Sequence, residues 1–405
     1  MGFVTAILIA VILALGLAIT LMVRSRGMHL WLPSYLTHAR SRRPPRSDAP
    51  VHLLLCIADH FEPQHGDASA DKAAERVRRW TTEYPRLFAD FRDGDGRPPQ
   101  HTFFYPLELY EPDHLDALAS LCRSGFGEVE VQLHHENDSA EALRQRLIDY
   151  KHLLHSRHGL LSRGRDGEIA YGFVHGNWAL DNSHPQGRGC GVTGELAILR
   201  QTGCYADFTF PSAPDLTQPR KINSIYYATG DPSRPKSHDS GIDVGSGPRP
   251  GNAFMLIQGP LLLDWERRKW GILPRVENGC LQRNQPPGEN RLDFWLRAGV
   301  GLRSRPDWHF VKLHAHGATE SNQAVMLGEP MVRFHQALSR RARENPNFHF
   351  HYVTAREMYN LARAAEADWT GTIQQARNFE LPTPPIHDPS PDALCNSGTS
   401  GGRNV

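Results

Sequence analysis

Short apolar runs alternate with stretches of helical periodicity from Val51 to Ala367, and this alternation constrains the fold more than any other feature of the chain. The predicted strands are Val51–Ala58, His101–Tyr105, Glu128–Leu133, Ile169–Val174, Tyr205–Phe210, His309–Leu313 and Phe348–Val353. The predicted helices are Ala70–Phe91, Pro112–Arg123, Ser139–Ser156, Thr193–Thr202, Ala324–Arg343 and Thr354–Ala367. Strict alternation of this kind implies parallel strands joined by right-handed crossovers. Because seven such strands fit a barrel better than an open sheet, we expect an α/β fold built on a seven-stranded parallel (β/α) barrel.

A hydrophobic segment precedes this region. Phe3–Val23 is apolar apart from Thr5 and Thr20, and its 21 residues are long enough to cross a membrane as a helix. No Lys or Arg precedes the segment, whereas six arginines follow it between Arg24 and Arg46. The positive-inside rule then favours a single-pass anchor with the rest of the chain in the cytoplasm. The alternative is an atypical or uncleaved export signal, which places the domain in the periplasm or outside the cell.

Composition divides the chain into four parts. Residues 1–23 form the predicted anchor, and residues 24–50 form a linker rich in Arg and Pro. Residues 51–370 form the predicted barrel, with a long insertion at 212–305 that is rich in Pro and Gly. An insertion of this length is either a functional lid or a decoration. Residues 371–405 are predicted to be a disordered tail.

Charge and missing motifs exclude several functional classes. The chain has 45 Lys and Arg against 44 Asp and Glu, and this balance argues against a general nucleic-acid binder. The sequence has no P-loop and no G-x-G-x-x-G directly after a predicted strand, so nucleotide-dependent chemistry is not expected. No G-x-S-x-G elbow follows a predicted strand, which argues against a serine esterase on an α/β-hydrolase fold.

Histidines and carboxylates follow four of the predicted strands at the point where each strand ends. In chain order they are Asp59 and His60, then His134 and His135, then His175, and finally His314 and His316. The carboxyl ends of the strands of a parallel barrel open on one face, where such enzymes have their active sites. The sequence therefore predicts that imidazoles and carboxylates meet at one rim.

One pair at this rim has two interpretations. His134 and Asp138 are four residues apart, so they share a face if the first turn of the next helix includes both. An imidazole and a carboxylate in that arrangement can bind one divalent metal. Asp138 can equally cap the helix that is predicted from Ser139.

The order and strand context of these motifs resemble the polysaccharide deacetylases of carbohydrate esterase family four, which have a distorted seven-stranded β/α barrel. The motifs are Ile57-Ala58-Asp59-His60, His134-His135-Glu136-Asn137-Asp138 and Leu313-His314-Ala315-His316. The resemblance covers residues 51–367 and rests on motif order rather than on close identity.

The resemblance implies the catalytic pair and the metal ligands. Asp59 stands at the position of the family's general base, and His314 stands at the position of its late histidine, which is expected to protonate the leaving group. His60 replaces a metal-binding Asp and Asp138 replaces a metal-binding His. The ligand set of His60, His134 and Asp138 therefore exchanges two positions but still has two imidazoles and one carboxylate.

Other ligand sets remain open. One alternative uses Asp59, either His134 or His135, and Asp138, and Glu62 is a further candidate. The expected ion is divalent, with zinc favoured.

The resemblance also implies a substrate. We expect a hydrolase that removes N- or O-linked acetyl groups from a polysaccharide or a lipid-linked oligosaccharide. The family's R-x-P-Y motif is absent, and His175-Gly176-Asn177-Trp178 stands in its place. The candidate substrate-binding residues are His175, Asn177, Trp178, Asp207 and His316. The expected partners are an acetylated glycan, the membrane and proteins of polysaccharide biosynthesis, but no nucleic acid.

Two other functions fit the same residues. Another metal-dependent amidohydrolase or phosphoesterase on this barrel would use the same rim. The altered motifs also fit a non-catalytic barrel that binds glycan or acts as a scaffold in a polysaccharide-assembly system.

Overall fold

The computed structural model describes residues 2–38, 45, 48–228 and 230–385. The helices are α1 Gly2–Ser25, α2 Met28–Thr37, α3 Ala70–Phe88, α4 Pro112–Arg123, α5 Ala140–His158, α6 Glu195–Gln201, α7 Glu289–Ala298, α8 Glu320–Met326, α9 Glu329–Glu344, α10 Ala355–Glu366 and α11 Ile373–Ala376. The strands are β1 Val51–His60, β2 His101–Pro106, β3 Gly127–Leu133, β4 Ser162–Arg163, β5 Ile169–His175, β6 Cys204–Asp207, β7 Ile225–Ala228, β8 Ile242–Asp243, β9 Phe254–Ile257, β10 Leu262–Lys269, β11 Leu273–Glu277, β12 Cys280–Leu281, β13 Trp308–Ala315 and β14 Phe348–Tyr352.

Each predicted strand and helix is present, with ends that differ by a few residues, but β4, β7 to β12 and α7 were not predicted. The helix predicted at Ala324–Arg343 is two helices, α8 and α9. Gly328 is extended at the start of α9, and Pro330 occupies its first turn. Proline has no N–H for an interior helical hydrogen bond, so it favours a new helix start over continuation.

Caps and stops in the sequence set several helix boundaries. Ser69, Ser139 and Thr354 each accept a hydrogen bond from a backbone N–H in the first turn of the helix that follows. Each therefore satisfies a donor that has no partner inside the helix. Gly159 ends α5 with a φ of 66°, a conformation that glycine adopts without a steric penalty.

Twelve of the described strands form one sheet in which most pairs are parallel. The hydrogen-bonded order is β12-β13-β1-β2-β3-β5-β6-β9-β7-β8, with β14 also paired to β1 and β4 to β5. The segment predicted as an insertion supplies β9, which pairs with β6 and continues the sheet into antiparallel β7 and β8. The protein is thus a mixed α/β protein with one large, mostly parallel sheet.

The sheet curls but is not shown to close. Lys312 of β13 donates from Nζ to the carbonyl oxygen of Phe208, just after β6, at 2.6 Å. Four strands, β1, β2, β3 and β5, separate β13 from β6 in the hydrogen-bonded order. Among the described strands no backbone ladder joins these two regions, so the closed seven-stranded barrel predicted from sequence is not shown.

β1 has two differently packed faces, because side chains alternate along a strand. Leu53 and Ile57 pack with buried side chains of α3, and we call this side the outer face. Leu54 and Ala58 pack with side chains of other strands, and we call this side the inner face. The two faces determine where the polar residues at the strand ends are placed.

Two helices precede the sheet. α1 is apolar and exposed, with a mean hydropathy of 3.0, and it has the length and composition of a membrane span or of a signal sequence. α2 lies within the predicted linker, and its Trp31 is buried against Ala213 and Leu261. Residues 39–44, 46 and 47 of that linker lie outside the described residues.

Part of the predicted tail belongs to the described fold. α11 follows its N-cap Thr372, and Leu381 is buried. Arg356 donates from Nη1 to the carbonyl oxygen of Leu381 at 2.7 Å. Residues 386–405 lie outside the described part of the chain.

A buried histidine leads to a prediction about acid stability. Burial among aromatic rings between α9 and β14 lowers the pKa of His335 to about 3. Below about pH 6.5 the unfolded chain therefore binds a proton at this residue, whereas the folded chain does not. As the pH is lowered, the free energy of unfolding then decreases by up to about 1.4 kcal/mol per pH unit. We expect His335→Gln, whose amide oxygen can still accept from Tyr352, to show a shallower fall in the free energy of unfolding between pH 6 and 4. Denaturant titration at several pH values measures the two slopes, and equal slopes would contradict this interpretation.

Candidate functional site

Alternation of side chains separates the polar residues at the strand ends into two groups. Asp59 and His60 are neighbours at the end of β1, so they project to opposite faces. His60 lies on the inner face, where its ring is 4.8 Å from that of His316. His314 lies two residues before His316, and both therefore belong to the inner face.

Five polar side chains at or just after the carboxyl ends of β1, β3 and β13 form what we call the mouth cluster. Its members are His60, Glu62, His134, His314 and His316. Glu62 lies at the centre of the cluster. Its Oε1 is 3.3 Å from His134 Nε2 and 3.9 Å from His60 Nδ1, and its Oε2 is 3.7 Å from His316 Nδ1.

Three members offer ligand atoms that are close enough to share one metal ion. These atoms, from His60, Glu62 and His316, all lie within 4.8 Å of one another. Both ring nitrogens of His60 and the Nδ1 atoms of His314 and His316 are buried without a hydrogen-bond partner among the described residues. Buried nitrogens of this kind are costly unless something binds them, so the donor set fits a divalent ion.

The protonation states agree with this fit. Burial, followed by neighbouring positive charge, lowers the pKa of His60 and of His314 well below the usual imidazole value. Both rings are therefore neutral at neutral pH, which is the form that binds metals. Burial raises the pKa of Glu62, but the imidazoles of His134, His316 and His60 around it outweigh burial and hold that pKa far below its usual range.

His134 lies between two carboxylates. Its Nδ1 contacts Glu108 and its Nε2 contacts Glu62. Burial lowers the pKa of His134, but these two partners outweigh burial and raise it to about 9. Gln132 also donates to Glu62 at 2.6 Å. Gln132, His134 and His316 reach Glu62 from distant segments, so its central place was not predictable from the local sequence.

Trp178 covers the mouth cluster. Its ring stacks on that of His60, with centroids 4.7 Å apart, and presents an edge to His314 at 5.3 Å. The side chain is half-buried, so part of the indole stays accessible. Asn177, beside it, donates to the carbonyl oxygen of His135.

Asp59, the predicted general base, lies apart from the mouth cluster on the outer face. Its Oδ2 bonds to His101 Nε2 at 2.9 Å, and its Oδ1 accepts from the backbone N–H of Gly317 at 2.6 Å. Asp59 is fully buried. Its base role stays a prediction, whereas its contact with Gly317 positions the chain directly after His316.

Asp138, a predicted metal ligand, does not join the mouth cluster. Helix α5 begins at Ala140 with Ser139 as its cap, so the turn from His134 to Asp138 is not helical and does not align these side chains. Asp138 bonds instead to His135 Nδ1 at 2.9 Å and to Arg146. Within the described part of the chain it has no hydrogen bond or ion pair to the mouth cluster.

The remaining predicted residues are distributed over both faces. His135 and His175 lie together on the outer face, with ring centroids 4.8 Å apart, and His175 is fully buried. Asp207 is also buried and bonds to Thr209. His316, predicted to bind substrate, lies instead among the candidate metal ligands.

No protein-family model matches the chain, and no curated protein sequence matches it significantly.

The mouth cluster gives a prediction about metal content. We expect His60→Ala to lose one divalent ion per chain, because it removes a ligand on the inner face. Asp59→Asn is the matched control, since it changes the neighbouring residue on the outer face and should retain that ion. Metal analysis of the full chain after dialysis makes the comparison. Loss of the ion in Asp59→Asn but not in His60→Ala would contradict the inner-face assignment.

Proposed function

We propose that the chain is a metal-dependent hydrolase that removes N- or O-linked acetyl groups from a polysaccharide or a lipid-linked oligosaccharide. The observation that carries this proposal is the convergence of His60, Glu62 and His316, with unpartnered buried nitrogens, at the carboxyl ends of parallel strands. Ligands and catalytic residues commonly lie at that end of a parallel sheet. The motif resemblance to polysaccharide deacetylases adds the acetyl group and the glycan.

His60, Glu62 and His316 would hold the ion, with His134 adjacent to them. A donor set rich in imidazole favours zinc over magnesium or calcium. When bound, such an ion acts as a Lewis acid towards a carbonyl group and lowers the pKa of water.

His314 is the residue to which we give the proton transfer. Its Nδ1 has no hydrogen-bond partner within the described chain. This nitrogen would take a proton from the attacking water and return it to the leaving amine or alcohol. Asp59, which the sequence predicted as the general base, is the alternative to His314 for this step, although His101 and Gly317 already engage both of its oxygens.

Trp178 is the residue to which we give the glycan contact. Its half-exposed indole over His60 offers an apolar surface for one face of a sugar ring. His175 and Asp207 are both buried, so they are better placed to support the site than to contact a substrate.

The N-terminal helices support a substrate at the membrane surface. α2 begins three residues after α1 ends, and its Trp31 is buried in the domain. If α1 spans a membrane, the domain lies directly at its surface, where a lipid-linked oligosaccharide is presented. The arginines from Arg24 onward favour the cytoplasmic side. A reporter that is active only outside the cytoplasm can be fused after Val405. Activity of that fusion would contradict the cytoplasmic orientation.

The activity prediction uses the full chain, loaded with zinc in detergent. We expect release of acetate from acetylated oligosaccharides and no cleavage of phosphoesters. His314→Gln should lower kcat by about 100-fold or more, because it removes the proton carrier, and should retain the ion. His309→Gln, at the opposite end of β13, is the matched control and should keep full activity.

Two results would count against this proposal. Full activity in His314→Gln would remove that residue from proton transfer. Cleavage of phosphoesters without release of acetate would indicate a different hydrolase on the same site.

A further inference from the structure

A second cluster of side chains that carry metal-ligand atoms lies on the outer face, and we call it the outer cluster. It consists of His135, after β3, His175, at the end of β5, and Glu195, at the start of α6. The ligand atoms of the three lie within 4.8 Å of one another, and all three residues are buried. The function proposed for the mouth cluster does not use these three residues together.

Two of the three side chains are oriented by partners behind them. His135 bonds through Nδ1 to Asp138, which leaves Nε2 facing Glu195 Oε1 at 3.1 Å. Glu195 Oε2 accepts from the backbone N–H of Asp181 at 2.6 Å. A histidine ligand whose other nitrogen bonds to a carboxylate is the usual arrangement behind a protein-bound metal.

The third side chain distinguishes a metal site from an ion pair. An ion pair between His135 and Glu195 accounts for those two residues alone. His175 is fully buried, and neither of its ring nitrogens has a hydrogen-bond partner in the described ranges. A buried imidazole with two unpartnered nitrogens beside a carboxylate lacks a binding partner. A cation between the three side chains would be that partner.

A comparison within the same fold sharpens this argument. Asp93, Asp95 and His351 form a similar group of three. There, Arg377 ion-pairs with both aspartates, at 3.3 and 2.7 Å, so a protein cation already occupies the place of a metal. No arginine or lysine pairs with Glu195 among the salt bridges of the described residues.

We propose that the outer cluster binds a structural divalent cation, zinc by its donor set, at a site separate from the mouth cluster. Two ligands that are each about 2.1 Å from a tetrahedral zinc lie about 3.4 Å apart, close to the separation of His135 and Glu195. A water would complete the fourth position of such a site.

The ion would tie together three elements that frame the mouth. The segment between β5 and α6 has both its ends, His175 and Glu195, in the outer cluster, and it carries Trp178 over the mouth cluster. Trp178 and Asp181 in this segment have positive φ values of 63° and 53°. Such conformations persist where the surroundings hold them, and an ion at both ends of the segment would do so.

The test uses Glu195→Gln in the full chain in detergent, with Co²⁺ as the probe after removal of bound metal. The amide keeps an oxygen for the N–H of Asp181 but removes the negative ligand. We expect two Co²⁺ per chain in the unsubstituted protein, one in Glu195→Gln, one in Glu62→Gln and none in the double variant. The ion retained by Glu62→Gln should give the intense visible absorption of tetrahedral Co²⁺.

The Glu62→Gln and Glu195→Gln variants test the mouth cluster and the outer cluster independently. If Glu62→Gln keeps every ion while Glu195→Gln loses one, the mouth proposal fails and the outer site stands. If folded Glu195→Gln binds as much Co²⁺ as the unsubstituted chain, the outer cluster is an ion pair only. A measurement on Glu62→Gln avoids any folding defect of Glu195→Gln. Zn²⁺ added to its metal-free form should raise the midpoint of thermal unfolding by several degrees, and no shift would overturn the inference.

Discussion

The strict alternation of side chains along each strand is the constraint on which the rest of the site depends. It sends His60 to the inner face and its neighbour Asp59 to the outer face, although both end the same strand. It also places His314 and His316 on one side, because they are two residues apart. Two neighbouring polar residues at a strand end therefore lie on opposite faces of the sheet. The residue of each pair that points inward determines which polar groups the inner face contains.

The outer face carries the support for this inner site. Asp59 fixes Gly317 beside His316, and Glu195 holds His135 and the backbone of Asp181. The segment that follows β5 then covers the mouth cluster with Trp178. Buried side chains of the outer face thus position those of the mouth cluster, which is the usual relation between candidate metal ligands and the residues behind them.

The sequence predicted the seven strands and six helices outside residues 212–305, because strand and helix periodicities and caps are local signals, but it did not predict β7 to β12 or α7. It also predicted that His60 and His134 would meet, since both follow parallel strands. The position of Asp138 was predicted wrongly, because its pairing with His134 assumed a helical turn. The Ser139 cap excludes that turn, since the helix begins only after it. Closure of the sheet and the pairing of β9 with β6 depend on contacts between distant segments, which periodicity does not encode.

The central claim is that His60, and not Asp59, faces a metal at the end of β1. An anomalous difference map at the zinc edge, from crystals of the zinc-loaded protein, tests it most directly. The account predicts a peak on the inner face, about 2.1 Å from ligand atoms of His60, Glu62 and His316. A peak bound by Asp59, or no peak on the inner face, would contradict it.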